Sequence, residues 1–179
     1  MYYQETVQLK DGRSCLIRSA EPSDAAVLLK TFNQTHAETD FLASYPDECT
    51  LTVESERKIL SGMDDRSCAL LAFVDGIAVG SAGVNPVRLK EKTLHRAEFG
   101  VSVVKSFWGL GIGRALTTAC VSCARQAGYL QLELQAVADN AHALALYRSV
   151  GFVEYGRNPM GFRSRLSGWQ ELVLMRLVL

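Results

Sequence analysis

The sequence lacks several features that would assign a protein class at once. No apolar run approaches the roughly 18–20 residues needed to cross a bilayer, and Met1-Tyr-Tyr-Gln-Glu has none of the basic-then-apolar order of a signal peptide. A cytoplasmic protein with no membrane partner is expected. There is no charge excess either: Lys plus Arg and Asp plus Glu stand at 19 each, so bulk electrostatics does not recommend nucleic acid as a partner. With three scattered histidines (His36, His95, His142) and no HExxH, no metal is expected. The five cysteines form an odd, dispersed set, unlike a disulfide framework. Cys120 and Cys123 have the spacing of a redox or zinc half-site, but no second pair accompanies them and they fall on the apolar side of a helical pattern, so packing is their expected role. No repeat, low-complexity tract or Pro/Gly/Ser-rich linker divides the chain, and a single domain over residues 1–179 is expected.

What is present is a regular alternation of strand and helix signals. Val7 to Lys10 and Arg13 to Arg18 flank Asp11-Gly12 as a hairpin, and Pro22 with Asp24 opens a helix predicted to end near Asn33. Thr35 to Cys49 has no periodicity and is long enough to be a functional loop; Thr52 then caps a short helix reaching about Leu60. Cys68 to Val74 and Ile77 to Val84, around Asp75-Gly76, read as central strands. Leu94 to Val104 is a further strand, with Ala97, Phe99, Val101 and Val103 on one face and Glu98 on the other. From Ile112 to Ala127 the apolar residues follow one helical face until Gly128; Leu130 to Gln135 alternates as a strand, and a helix follows from Asn140 to Val150. Phe152 to Tyr155 and Gln170 to Leu177 complete the set, leaving Arg157 to Arg165 as a basic loop. Hairpins followed by strand-helix-strand units predict an α/β domain with a mixed, mostly antiparallel sheet covered by helices.

The segment Trp108-Gly-Leu-Gly-Ile-Gly113-Arg114 carries a strand through glycines directly into a helix. Such a turn is an anion site: glycine lets backbone approach a ligand, the first helical N–H groups have no partners, and the helix dipole adds about half a positive charge. A phosphate or diphosphate is the natural occupant. The spacing excludes two familiar ligand modes. A dinucleotide fingerprint would need Gly or Ala where Arg114 or Leu116 stands, and a Walker A loop would need Lys-Ser/Thr after Gly113 rather than Arg114-Ala115.

Together these segments resemble the GNAT N-acetyltransferase superfamily. Gly111 and Gly113 match the glycines of its acetyl-CoA loop, Gln/Arg-x-x-Gly-x-Gly/Ala, with Trp108 in place of the first residue. Asn140-Ala-His-Ala-Leu-Ala-Leu-Tyr147-Arg-Ser-Val-Gly151-Phe152 matches its second signature, Asn-x-x-Ala-x-x-x-Tyr-x-x-x-Gly-Phe, at every position. The resemblance implies the GNAT fold and acetyl-CoA as cosubstrate, held by Val101, Val103, Gly109, Leu110, Gly111, Ile112, Gly113, Arg114 and Asn140. It implies acetyl transfer to a primary amine, on a small molecule or a protein, with Tyr147 protonating the departing thiolate. Many members form homodimers, which leaves that option open.

An amine attacks a thioester only when neutral, and a lysine-type ammonium has a pKa of about 10.4, so a base is wanted. Glu98, on the polar face of the strand entering the glycine turn, is the candidate, with Glu133 a weaker one. Gln135 stands where some relatives, including enzymes acting on ribosomal protein N-termini, place a basic Glu; Gln cannot accept the proton. Asn140 is also an ordinary helix N-cap and Tyr147 an ordinary packing residue, so a non-catalytic acyl-CoA-binding module is the alternative.

Overall fold

The computed structural model describes residues 2–179. Eight strands form one sheet in the order β1-β2-β3-β4-β5-β6-β8-β7. The N-terminal half is a meander: β1 (Gln4–Gln8), β2 (Ser14–Ser19), β3 (Cys68–Val74), β4 (Ile77–Pro86) and β5 (Arg96–Val103) pair antiparallel in turn. Between β2 and β3 lie α1 (Ala25–Glu38) and α2 (Val53–Ser61). After β5 the chain crosses over through α3 (Ile112–Gln126), so that β6 (Gln131–Val137) lies parallel to β5. The last helix, α4 (Ala141–Val150), leads into β7 (Val153–Ser164), and β8 (Gly168–Val178) returns between β7 and β6.

The alternation along β5 assigns the two faces of the sheet. Phe99 packs edge-on against Tyr147 of α4, whereas Ser102, of opposite parity, hydrogen-bonds Thr35 of α1. The main core therefore lies under α3 and α4, where Leu70, Val84, Leu116, Cys120, Leu132 and Met175 are fully buried. Cys123 also packs here, as its apolar position predicts.

The first strand lies earlier than Val7 to Lys10, at Gln4–Gln8, and two larger corrections follow. Helix α1 does not stop near Asn33 but continues to Glu38, because tertiary contacts support its polar last turn: Thr35 donates to Ser102 Oγ at 3.1 Å, and the Glu38 carboxylate accepts the Lys105 N–H at 2.6 Å. Likewise Arg157 to Arg165 is not a free loop. Residues through Ser164 belong to β7, an edge strand whose ladder to β8 is interrupted by register shifts at Glu154/Gly156 and Asn158/Phe162. An edge strand needs no apolar alternation, which is why its composition reads as loop.

Candidate active site

The site begins where two parallel strands part. β5 and β6 pair only at Arg96–Gln131, Ala97–Leu132 and Glu98–Glu133, while β5 stays paired with β4 as far as Val103. From Phe99 onward the edge of β5 that would face β6 is open. The Val104 N–H donates to the Val79 carbonyl on the β4 side at 2.8 Å. Backbone groups alternate sides along a strand, so those of Val101 and Val103 turn towards the gap. One of them is used internally, since the Trp108 indole N–H donates to the Val103 carbonyl at 2.6 Å. Trp108 thus braces the entrance to the turn.

The gap opens into a cavity of about 410 Å³. One wall is the glycine turn. Gly111 is the N-cap of α3 at φ 102°, and Gly109 has φ 79°, left-handed conformations that cost an L-residue about 1–2 kcal/mol. A Cβ added at either position would meet no protein atom within 4 Å, so space for a ligand lies directly against the backbone. The first helical N–H bonded back is that of Ala115, to the Gly111 carbonyl at 3.0 Å; those of Ile112, Gly113 and Arg114 have no partner within the helix. This is the donor set a diphosphate requires. Leu110 differs from its neighbours in the turn: it does not line the cavity, and its carbonyl accepts the Lys10 N–H at 3.2 Å.

Helix α4 supplies the opposite wall. Asn140 acts as N-cap, its Oδ1 accepting the Ala143 N–H at 3.2 Å, and lines the cavity as well. Tyr147 is 9% exposed, with ring centroids 6.0 Å from both Phe99 and Phe152. Its hydroxyl hydrogen-bonds no other described residue, and burial pushes its pKa up to about 12. Through the neutral range this group keeps its proton, so it can donate one and cannot act as a base.

Glu98 is exposed and does not line the cavity. The cavity-lining residue on its face is Ser102, four residues away and about 13 Å along an extended strand. Glu98 therefore makes no direct contact with the cavity. Glu133 is not available: it holds Arg96 through two hydrogen bonds, the Gln131 amide donates to it at 2.7 Å, and the guanidinium keeps its carboxyl below the ordinary range.

Several wall residues carry no local sequence signal. Thr39, Phe41 and Leu42, from the long loop after α1, face the cavity across from β5, as does the buried Thr35. Between Thr39 and Phe41, Asp40 ties this loop to the β7–β8 hairpin, its carboxylate accepting from Ser164 at 2.6 Å, Ser167 at 2.9 Å and Gln170 at 3.1 Å. Lys10 lines the mouth from the β1–β2 turn, and exposed His142 from the first turn of α4. None of the five cysteines lines the cavity, and among the described residues no three His, Cys, Asp or Glu side chains come together as metal ligands. No helix among them is long and apolar enough to cross a membrane.

An open strand edge, a helix end with unpartnered N–H groups and a buried hydroxyl around one cavity suit a phosphate-bearing ligand with an extended arm. Residues 31–152 match the Acetyltransferase (GNAT) family. The L-amino acid N-acyltransferase MnaT of Escherichia coli is 27% identical over 167 residues, 91% of this chain and 93% of that protein. A GNAT-family acetyltransferase from Streptococcus pneumoniae superposes with a TM-score of 0.87 at 28% identity, covering 92% of this chain and 99% of that one. The yncA protein of Salmonella typhimurium, solved with its cofactor acetyl-CoA, shares the fold with a TM-score of 0.80 at 22% identity, over 92% of this chain and 93% of its own. The two signatures that flank the parted strands are therefore those of a known enzyme class, and the chain belongs to the GNAT family of acetyltransferases.

Proposed function

We propose that this N-acetyltransferase moves the acetyl group of acetyl-CoA directly to a primary amine in the cavity between β5 and α4. The observation that carries the reading is the meeting, in one cavity, of the open β5 edge, the unpartnered N–H groups of α3 and the protonated Tyr147 hydroxyl. Acetyl-CoA supplies an acyl group already activated as a thioester.

The chain's own residues divide the remaining work. The N–H groups of Ile112, Gly113 and Arg114 bind the diphosphate, approached closely because Gly109 and Gly111 have no side chain; Leu110 shapes the turn from behind. Val101 and Val103 offer backbone groups to the pantetheine arm. A backbone N–H there also suits the thioester carbonyl oxygen, because it is fixed in place before charge develops. Asn140 sets the start of α4, and Tyr147 Oη gives its proton to the departing sulfur. The acceptor enters from the α1 side, past Thr35, Thr39, Phe41 and Leu42, and its proton leaves through water towards Glu98.

A covalent acetyl-enzyme has no support among the thiols. Hydrogen bonding to Cys68, together with burial, holds the Cys123 thiol far above its ordinary pKa, and Cys120 is fully buried in the core of α3. For the acceptor, MnaT acts by its name on L-amino acids, which makes free amino acids the first amines to assay. The reading is tested by comparing acetyl-CoA, NAD and ATP in thermal shift and by following CoA release with an amine panel. Stabilisation by acetyl-CoA alone, with amine-dependent CoA release, is expected; equal stabilisation by NAD or ATP contradicts it.

A further inference from the structure

The cavity holds two cations and no anion. Among the described residues, no Asp or Glu lines it, whereas Lys10 and Arg114 do. Arg114 reaches only the Ser149 hydroxyl, at 2.6 Å. Lys10 is more informative, because it comes from an element far from the glycine turn in sequence. Leu9, buried in the core, anchors the β1–β2 turn, and the Leu9 N–H donates to the Arg13 carbonyl at 2.8 Å. The next residue docks onto the glycine turn through the Lys10 N–H to Leu110 carbonyl bond at 3.2 Å. The adjacent carboxylate, Asp11, is already neutralised: Arg13 donates to it at 2.7 and 2.9 Å. Arg13 also reaches Asp75 at 3.6 Å and lies over the Phe107 ring. With Asp11 engaged, the Lys10 ammonium has no ion-pair partner among the described residues and stands exposed at the cavity mouth.

We propose that Lys10 binds the phosphomonoester on the ribose of CoA and so makes the enzyme selective for CoA over its 3′-dephospho form. The inference rests on the acetyl-CoA reading above. The diphosphate is provided for by the α3 N–H groups, with the Arg114 side chain on the same helix end. With the pantetheine arm along the open edge of β5, the adenosine end would lie beyond the glycine turn, onto which the β1–β2 turn docks through the Lys10 N–H and the Leu110 carbonyl. A dianionic phosphate at that end needs a cation, and Lys10 is the one that the β1–β2 turn supplies.

The test is a direct binding measurement by calorimetry, with CoA and 3′-dephospho-CoA, on the parent, Lys10→Met and Lys92→Met. Methionine keeps the backbone N–H and the apolar stem while removing the charge; Lys92 is an exposed lysine away from the cavity and controls for net charge. The parent and Lys92→Met are expected to prefer CoA by about 5–10-fold, and Lys10→Met to lose that preference by binding CoA more weakly while holding 3′-dephospho-CoA as before. Equal weakening of both ligands by Lys10→Met overturns the proposal, since Lys10 would then serve the diphosphate or the turn itself. No change in either ligand overturns it as well. Failure of the parent to bind either compound removes the acetyl-CoA reading, and the proposal with it.

Discussion

Two glycines in the same backbone region allow the ligand site to be separated from fold strain. Gly111 has φ 102° and Gly128, just past the end of α3, has φ 77°; a Cβ at either would meet no protein atom within 4 Å. Valine at either position therefore suffers the left-handed backbone penalty of at least about 1–2 kcal/mol without a clash. In a chain of 179 residues this lowers Tm by about 2–8 °C for both variants. Of these two, Gly111 lines the cavity and Gly128 does not. Acetyl-CoA at 100 times its Kd stabilises a fold by about 2.7 kcal/mol, roughly 5–10 °C here. Differential scanning calorimetry with and without acetyl-CoA should show the full ligand shift in the parent and in Gly128→Val. Gly111→Val should lose it, because its side chain occupies the space against the turn. A folded Gly111→Val protein that retains the full shift refutes the anion-site reasoning.

Tyr147→Phe should keep the ring packing against Phe99 and Phe152, leave acetyl-CoA affinity unchanged and lower turnover about 10–100-fold. Because the parent hydroxyl keeps its proton up to a pKa of about 12, that deficit should stay constant from neutral to mildly alkaline pH; parental rates with chemistry rate-limiting would remove the donor role. Glu98→Gln should depress turnover most at low pH and recover as pH rises and more acceptor is neutral, and an unshifted pH profile would return proton removal to bulk water. Asp24 accepts from Arg18 at 2.6 and 2.9 Å and from the Glu21 N–H at 2.7 Å, so Asp24→Ala should cost about 2–3 kcal/mol in urea melts at neutral pH. The Arg18 guanidinium depresses the folded-state pKa of Asp24, so its contribution is present above the ordinary carboxylate range and disappears as pH falls through the depressed value. The gap between variant and parent should narrow in acid, and a pH-independent gap would assign the cost to packing.

The parts legible in the sequence were those written in local chemistry. Helices α3 and α4 carry one-sided apolar periodicity, an N-cap at Asn140 and glycines at 128 and 151, and they begin and end within about a residue of expectation. The last turn of α1 is not legible because Gln34 to Glu38 is polar apart from Ala37 and gains its support from Ser102 and Lys105, more than sixty residues away. The parting of β5 and β6 after Glu98 and Glu133 is marked by no residue type. The same limit applies to the cavity wall: Tyr147 and Gly111 announce themselves by motif, whereas Lys10, Phe41 and Leu42 are brought in by folding alone. Glu98 stands on the polar face of β5, and its position outside the cavity is not readable from alternation.

The most direct test of the account supplies acetyl-CoA carrying an isotopically labelled acetyl group, together with a panel of L-amino acids, polyamines and lysine-bearing peptides, and follows both products by mass spectrometry. The account predicts label in an amide of one acceptor class, in step with the free CoA released, and no label on the protein. Label held on a cysteine and passed on to the amine, or label in no amide at all while acetyl-CoA is consumed, would contradict direct transfer at this site.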